Sequence, residues 1–261
     1  MTANIMLTLA YDGTAYIGWQ RQPAACGMSV QRRLEEALAA IYCQPITVAG
    51  AGRTDSGVHA LGQCCTFSAP RPVPVAELPT IVNRLLPGDI RVLAAVEKPA
   101  AFHARFSAVG KRYRYVLERG AVELPFNNRF VWQPDPAPDA APMREAAACL
   151  LGYHDFTNFT VSGVSARDLH RRITELTVSE PGPTAALLPW QTLHAPIVIE
   201  AAADGFLYKM VRIIVGRLVA VGQGRITPQQ FAGYLDGSFS LNIPPAPAKG
   251  LCLLAVDYGD L

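Results

Sequence analysis

Ile5, Leu7, Leu9 and Tyr11 alternate with Met6, Thr8 and Ala10, and Asp12-Gly13 follows at once. A period of two predicts a strand with one buried face, ended by a turn. Ser29 then offers an N-cap to a segment in which Val30, Leu34, Leu38 and Ile41 recur at helical spacing. Next the pattern predicts a short strand over 46–49, a glycine-rich stretch over 50–62, a strand through Phe67, a helix over 78–86 and a strand over 90–96. That order is βαββαβ. A second round opens near Lys111, with Tyr113, Tyr115 and Leu117 on one strand face and Arg112, Arg114 and Val116 on the other. Met143, Ala147, Leu150 and Leu151 mark a helix. Strands are expected over 173–178 and 197–201, a helix over 207–221 and a closing strand over 251–258.

Two rounds of the same order predict an α+β fold made of two ferredoxin-like halves, each a largely antiparallel sheet with helices on one face. No sequence repeat relates them. The expected division falls at 107–110, giving an N-terminal half over 1–108 and a C-terminal half over 109–261. Proline-rich stretches at 134–142, 181–183 and 244–247 read as surface connectors.

Composition narrows the classes. Half of the 261 residues are hydrophobic and 17% are charged, which excludes wholesale disorder. The net charge of +2 argues against a partner held by bulk charge alone, so any nucleic-acid site must be local. Apolar runs stop well short of the roughly twenty residues of a membrane span. The opening Met1-Thr2-Ala3-Asn4-Ile5 lacks a basic flank before an apolar run, so a secretory signal is not expected and a cytoplasmic location is. The six cysteines form no C-x-x-C pair and have no histidine cluster nearby, so no metal site is expected and they read as free core thiols.

The stretch Gly50-Ala51-Gly52-Arg53-Thr54-Asp55-Ser56-Gly57-Val58-His59-Ala60-Leu61-Gly62 stands out, with four glycines around one acid, one base and one imidazole. Glycine permits close backbone approach to a ligand, so Asp55 could be presented on a cleft floor. Composition alone favours a long hairpin in which Asp55 is a turn residue. His59 reads as bonded to loop backbone and is assigned no catalytic role.

This stretch resembles the signature loop of the TruA family of tRNA pseudouridine synthases, G-R-T-D-A-G-V-H, with Ser56 in place of its alanine. The resemblance extends along most of the chain. It includes Tyr11-Asp12-Gly13-Thr14, Gly18-Trp19-Gln20-Arg21-Gln22, Ser29-Val30-Gln31, Leu86-Pro87-Gly88-Asp89-Ile90 and Phe102-His103-Ala104-Arg105-Phe106-Ser107. Lys111-Arg112-Tyr113-Arg114-Tyr115, His154-Asp155-Phe156-Thr157, Met210-Val211-Arg212, Ala246-Pro247-Ala248 and Gly250-Leu251 continue it in order.

The resemblance implies an isomerase that converts uridine to pseudouridine in the anticodon stem-loop of tRNA, acts as a homodimer and needs no cofactor. It makes Asp55 the catalytic carboxylate, Arg212 its ion-pair partner and Tyr113 the aromatic that stacks on the extruded base. It makes Arg53 the residue that helps extrude the nucleotide, and Leu251 an apolar wall of the uracil pocket. A hydroxyl at Ser56 is positioned by sequence to bond Asp55. Without the resemblance, Arg212 reads equally as a surface arginine on an amphipathic helix or as a guanidinium that, among Phe206, Met210, Ile213 and Ile214, needs a partner, Tyr113 as a core aromatic on a strand and Leu251 as an ordinary strand residue. Local basic clusters at Arg105, Lys111, Arg112, Arg114, Arg167, Arg171 and Arg172 suit RNA phosphates or a solvated strand face. Two other classes compete: a hydrolase pairing Asp55 with His59 or Asp12, and a non-catalytic RNA-binding module. The first has no obvious second acid, and the joint presence of Asp55, Tyr113 and Arg212 speaks against the second.

Overall fold

A computed structural model describes residues 3–70, 72–120, 122–161, 168–181 and 195–259. Arg167 and most of the connector at 181–183 lie outside the described residues. The strands are β1 Ala3–Tyr11, β2 Ala49–Gly50, β3 His59–Ala69, β4 Ile90–Lys98, β5 Gly110–Glu118, β6 Gly152–Asp155, β7 His170–Ser179, β8 Pro196–Ala203 and β9 Leu251–Asp257. The α-helices are α1 Val30–Tyr42, α2 Leu78–Asn83, α3 Ala140–Ala147, α4 Met210–Gly222 and α5 Pro228–Asp236. The architecture is α+β, as the sequence predicts. The chain divides into two units, Met1–Val109 with Cys252–Leu261, and Gly110–Leu251.

In the first unit, β1 runs antiparallel between β3 and β4, and β2 lies antiparallel to β3. This is the 4-1-3-2 order of a ferredoxin-like half. Cys252 and Leu253 of β9 pair in parallel with His59 and Ala60 at the start of β3, which ties the end of the chain to this unit. The alternation of β1 is borne out: Ile5, Leu7, Leu9 and Tyr11 are buried while Met6 and Thr8 are half-buried. Ser29 caps α1 by accepting from the Arg32 amide, and Val30, Leu34 and Leu38 are fully buried.

The expected strand at 46–49 shrinks to Ala49–Gly50, for a specific reason. The Val48 amide donates to Glu35 Oε1 and its carbonyl accepts from Gln31 Nε2, so two α1 side chains take the backbone groups that a ladder would use. Glu35 is buried but satisfied, also accepting from Gln31 and pairing with Arg21 at 3.0 Å.

The second unit has the antiparallel strand order β5-β8-β7-β6. Tyr113, Tyr115 and Leu117 face its core with Ile199, Ala201, Leu176 and Val178. Helix α4 begins at Met210 rather than at 207, because Lys209 adopts the left-handed conformation at φ +59° and so ends the preceding loop. Two elements were not expected. The short β6 pairs Gly152–Asp155 with β7, and α5 is opened by a capping box in which Thr227 and Gln230 exchange hydrogen bonds, with Pro228 in the first turn.

Arg217 of α4 is buried between the rings of Tyr234, 3.6 Å from its guanidinium carbon, and Phe159, at 4.7 Å. Its Nε and Nη1 have no hydrogen-bond partner among the described residues, and burial pulls the guanidinium pKa down to about 10. Arg217→Met keeps the packing and removes the desolvated charge, so it should stabilise by about 1 kcal/mol, or roughly 2–4 °C in Tm. A lower Tm would mean that the two ring contacts outweigh the lost hydration.

Candidate active site

In the first unit the 50–58 loop is fixed from beneath. Thr54 is buried; its Oγ1 lies 2.9 Å from the Tyr11 hydroxyl, and its carbonyl accepts from the Trp19 amide at 3.1 Å. Gln63 Nε2 donates to the Gly52 carbonyl at 2.9 Å and reaches the Tyr11 oxygen at 3.4 Å. Tyr11, Thr54 and Gln63 therefore hold the backbone on both sides of Arg53. Burial raises the Tyr11 phenol far above its usual range, so it serves as a neutral hydrogen-bonding group.

Asp55 follows as the first residue of a tight turn. The Val58 amide donates to the Asp55 carbonyl at 3.1 Å, and Gly57 adopts φ +78°, a conformation that suits glycine. Its side chain is half-buried, whereas Arg53 and Ser56 are exposed. The Ser56 hydroxyl does not serve Asp55: it donates to the Tyr16 carbonyl at 3.1 Å, and the Gly57 amide donates to the same oxygen at 3.3 Å. The 16–19 segment thus grips the loop from the other side. Gly18 makes this possible, since its φ is +105° and a Cβ there would lie 2.5 Å from the Thr54 carbonyl oxygen.

His59 is buried, and its Nδ1 accepts from the Gly13 amide at 3.0 Å, the backbone role expected for it. The same nitrogen lies 3.2 Å from Asp12 Oδ1.

The second unit carries the other candidates. Tyr113 is buried on β5 opposite Ala201, with the Phe206 ring edge-on at 5.2 Å. Tyr115 donates to the Pro247 carbonyl at 2.7 Å. Arg212, in the first turn of α4, is half-buried; its Nε donates to the Ala246 carbonyl at 2.7 Å, and the Ala246 amide donates back to the Arg212 carbonyl at 2.9 Å. The segment leading to Leu251 is thereby fastened both to α4 and to β5, and Leu251 itself is buried.

The basic residues fall into two kinds. Arg112 on β5 reaches over β8 to pair with Glu175 of β7 at 2.8 Å, and Arg114 pairs with Glu200 on the adjoining β8 at 2.6 Å. Their charge is largely answered within the sheet. Arg105 is exposed with its guanidinium against the Phe106 ring, and Arg172 lies over the Tyr153 ring. Lys111 opens the β5–β8 ladder, half-buried.

Among the described residues no group of His, Cys, Asp and Glu side chains could hold a metal ion, and no helix is long and apolar enough to cross a membrane. Sequence reasoning missed the supporting shell of Tyr11, Thr54 and Gln63. A faint signal existed: Gln63 is a lone amide in the otherwise apolar run 60–65.

Comparison with known proteins bears on both units. Residues 8–107 and 146–259 match the profile of the tRNA pseudouridine synthase family. The chain is 42% identical over 255 residues to a tRNA pseudouridine synthase A of Moorella thermoacetica, covering 97% of this chain and 99% of the relative. It is equally 42% identical to one of Syntrophotalea carbinolica, covering 97% and 96%, and 39% identical over 257 residues to one of Geobacter sulfurreducens, covering 98% and 99%. Likeness at this level runs over nearly the whole of each chain, and the chain belongs to the tRNA pseudouridine synthase family.

Proposed function

We propose that this protein isomerises uridine to pseudouridine in the anticodon stem-loop of tRNA, with Asp55 as its catalytic carboxylate. The observation that carries the reading is the loop itself. A half-buried carboxylate stands on a turn whose backbone is held by Trp19, Tyr11, Gln63 and Tyr16, in a chain of this family. The reaction breaks the N1–C1′ bond, turns the uracil and joins C5 to C1′, so atoms balance with no oxidant or reductant. An ionised carboxylate can start it by adding to C6, by adding to C1′ or by removing a ribose proton. Rigid support holds such a group in a reactive geometry without reorganisation.

In this reading Arg212 is the ion-pair partner of Asp55, Tyr113 stacks on the extruded base, Arg53 helps extrude it and Leu251 walls the uracil. Arg105 and Lys111 meet RNA phosphates, Arg112 and Arg114 less so because acids already answer them. The enzyme works in the cytoplasm as a homodimer and without a cofactor.

The test is an unmodified tRNA transcript incubated with the purified protein, then mapped by carbodiimide labelling and primer extension. Stops at anticodon-stem uridines support the proposal; a transcript without stops contradicts it. Tyr113 gives a sharper check. Tyr113→Phe should retain most of kcat/KM while Tyr113→Ala loses roughly ten- to a hundredfold, the scale of a lost base–aromatic stack. Equal losses would assign the work to the hydroxyl.

A further inference from the structure

Residues 102–107 form a short loop whose backbone is fixed to an unusual degree for an exposed connection. The Phe102 amide donates to the Pro99 carbonyl, and Asn4 Nδ2 donates to the carbonyls of both Pro99 and Phe102, all at 2.9 Å. The His103 amide donates to Ser107 Oγ at 3.1 Å and the Ser107 amide to the His103 carbonyl at 2.9 Å. The Ala104 amide donates to Thr66 Oγ1, and the Tyr258 hydroxyl donates to the Ala104 carbonyl. Phe102 packs on the Tyr258 ring at 5.0 Å, and Ala104 is fully buried.

What this framework holds out is Phe106, 77% exposed. The His103 ring lies beside it at 4.5 Å with a 36° tilt, and the Arg105 guanidinium carbon is 5.6 Å from its centroid. The Arg105 amide donates to His103 Nδ1, which fixes the imidazole relative to the arginine. Single exposed apolar side chains are ordinary on protein surfaces. Here the fold sets the ring's position from both sides, and Arg105 has no hydrogen bond or ion pair from its guanidinium among the described residues, unlike Arg112 and Arg114. A planar face, an adjoining imidazole and an uncompensated cation match an unpaired nucleotide, whose base stacks while its phosphate takes the charge.

We propose that His103, Arg105 and Phe106 form a nucleotide platform on which an unpaired base of the RNA substrate stacks against Phe106 while Arg105 binds a flanking phosphate. The proposal deepens the reading of the protein as a tRNA-modifying enzyme and rests on it. The platform contributes to RNA affinity rather than to bond rearrangement, so its loss falls on Kd and KM more than on kcat.

The experiment uses the full chain and an unmodified tRNA transcript, with Phe106→Ala, Phe106→Trp and Arg105→Gln compared with wild type. Phe106→Ala should weaken tRNA binding about tenfold or more, the effect of one lost stack. Phe106→Trp should bind as wild type and add a tryptophan emission that tRNA quenches. Arg105→Gln should flatten the dependence of log Kd on log salt by about 0.7, one single-strand phosphate contact. Wild-type affinity in Phe106→Ala, or an unquenched Phe106→Trp, would overturn the platform. So would a Phe106→Ala protein whose weaker binding follows only from dissociation into monomers in sedimentation, since the ring would then serve an interface between copies. If wild type binds tRNA through Phe106 yet forms no pseudouridine, the catalytic reading fails and the platform stands.

Discussion

Asp55→Asn should fold and bind tRNA as wild type does, yet turn over at least about a thousandfold more slowly, the scale on which removal of an essential nucleophile acts. The substitution is close to isosteric, and the Thr54 and Asp55 carbonyls, the Gly57 amide and the Thr54 and Ser56 hydroxyls all hold the loop. None of those needs the carboxylate, so Tm and Kd should hold while kcat collapses. Appreciable residual turnover would remove Asp55 from its role, because an amide cannot add to uracil or ribose as an ionised carboxylate does.

Gly18→Ala should be the most damaging small substitution away from the carboxylate. At φ +105° any side chain is strained, and the added Cβ would stand 2.5 Å from the Thr54 oxygen, 3.0 Å from the Asp55 carbonyl carbon and 3.1 Å from the Ser56 amide. Relief requires the backbone bearing Asp55 to move. Strain of this kind costs on the order of 1–3 kcal/mol in stability. A displacement near 1 Å at the reacting group costs roughly a hundredfold in kcat. Gly88→Ala supplies the control, since its Cβ would meet nothing nearer than the end of the Arg91 side chain at 4.0 Å. The account expects kcat to fall in the first variant and to hold in the second, measured beside their melting temperatures. Equal behaviour would show that the 16–19 segment does not position the loop.

Local rules carried much of the fold. Strict alternation over β1 and β5, and the Ser29 cap ahead of Val30, Leu34 and Leu38, were legible because each depends on neighbours a few residues away. The failures came where a distant side chain or an unsignalled backbone conformation intervened. Glu35 and Gln31 claim the Val48 backbone and cut short β2, and a left-handed Lys209 delays α4. Helix α5 was legible in principle from Thr227-Pro228 and Gln230, three residues on from the cap, but its apolar face is short.

The site divides in the same way. Glycine spacing marks the 50–62 stretch from sequence alone, and family resemblance names Asp55 within it. Its support could not be read, because Tyr11 and Thr54, Tyr16 and Ser56, and Gly13 and His59 are each at least forty residues apart. Nor could the fate of Arg112 and Arg114, which depends on the register that sets Glu175 and Glu200 beside them. The hydroxyl of Ser56 was expected to reach Asp55, and a carbonyl from the 16–19 segment takes it instead.

The central claim is that this chain isomerises uridine through Asp55, and release of tritium from C5 tests it most directly. An unmodified tRNA transcript carrying tritium at C5 of uridine is incubated with wild type and with Asp55→Asn, without added cofactor. The account predicts release by the wild type and none above background by the variant. Release by both, or by neither while tRNA binding is intact, would contradict it.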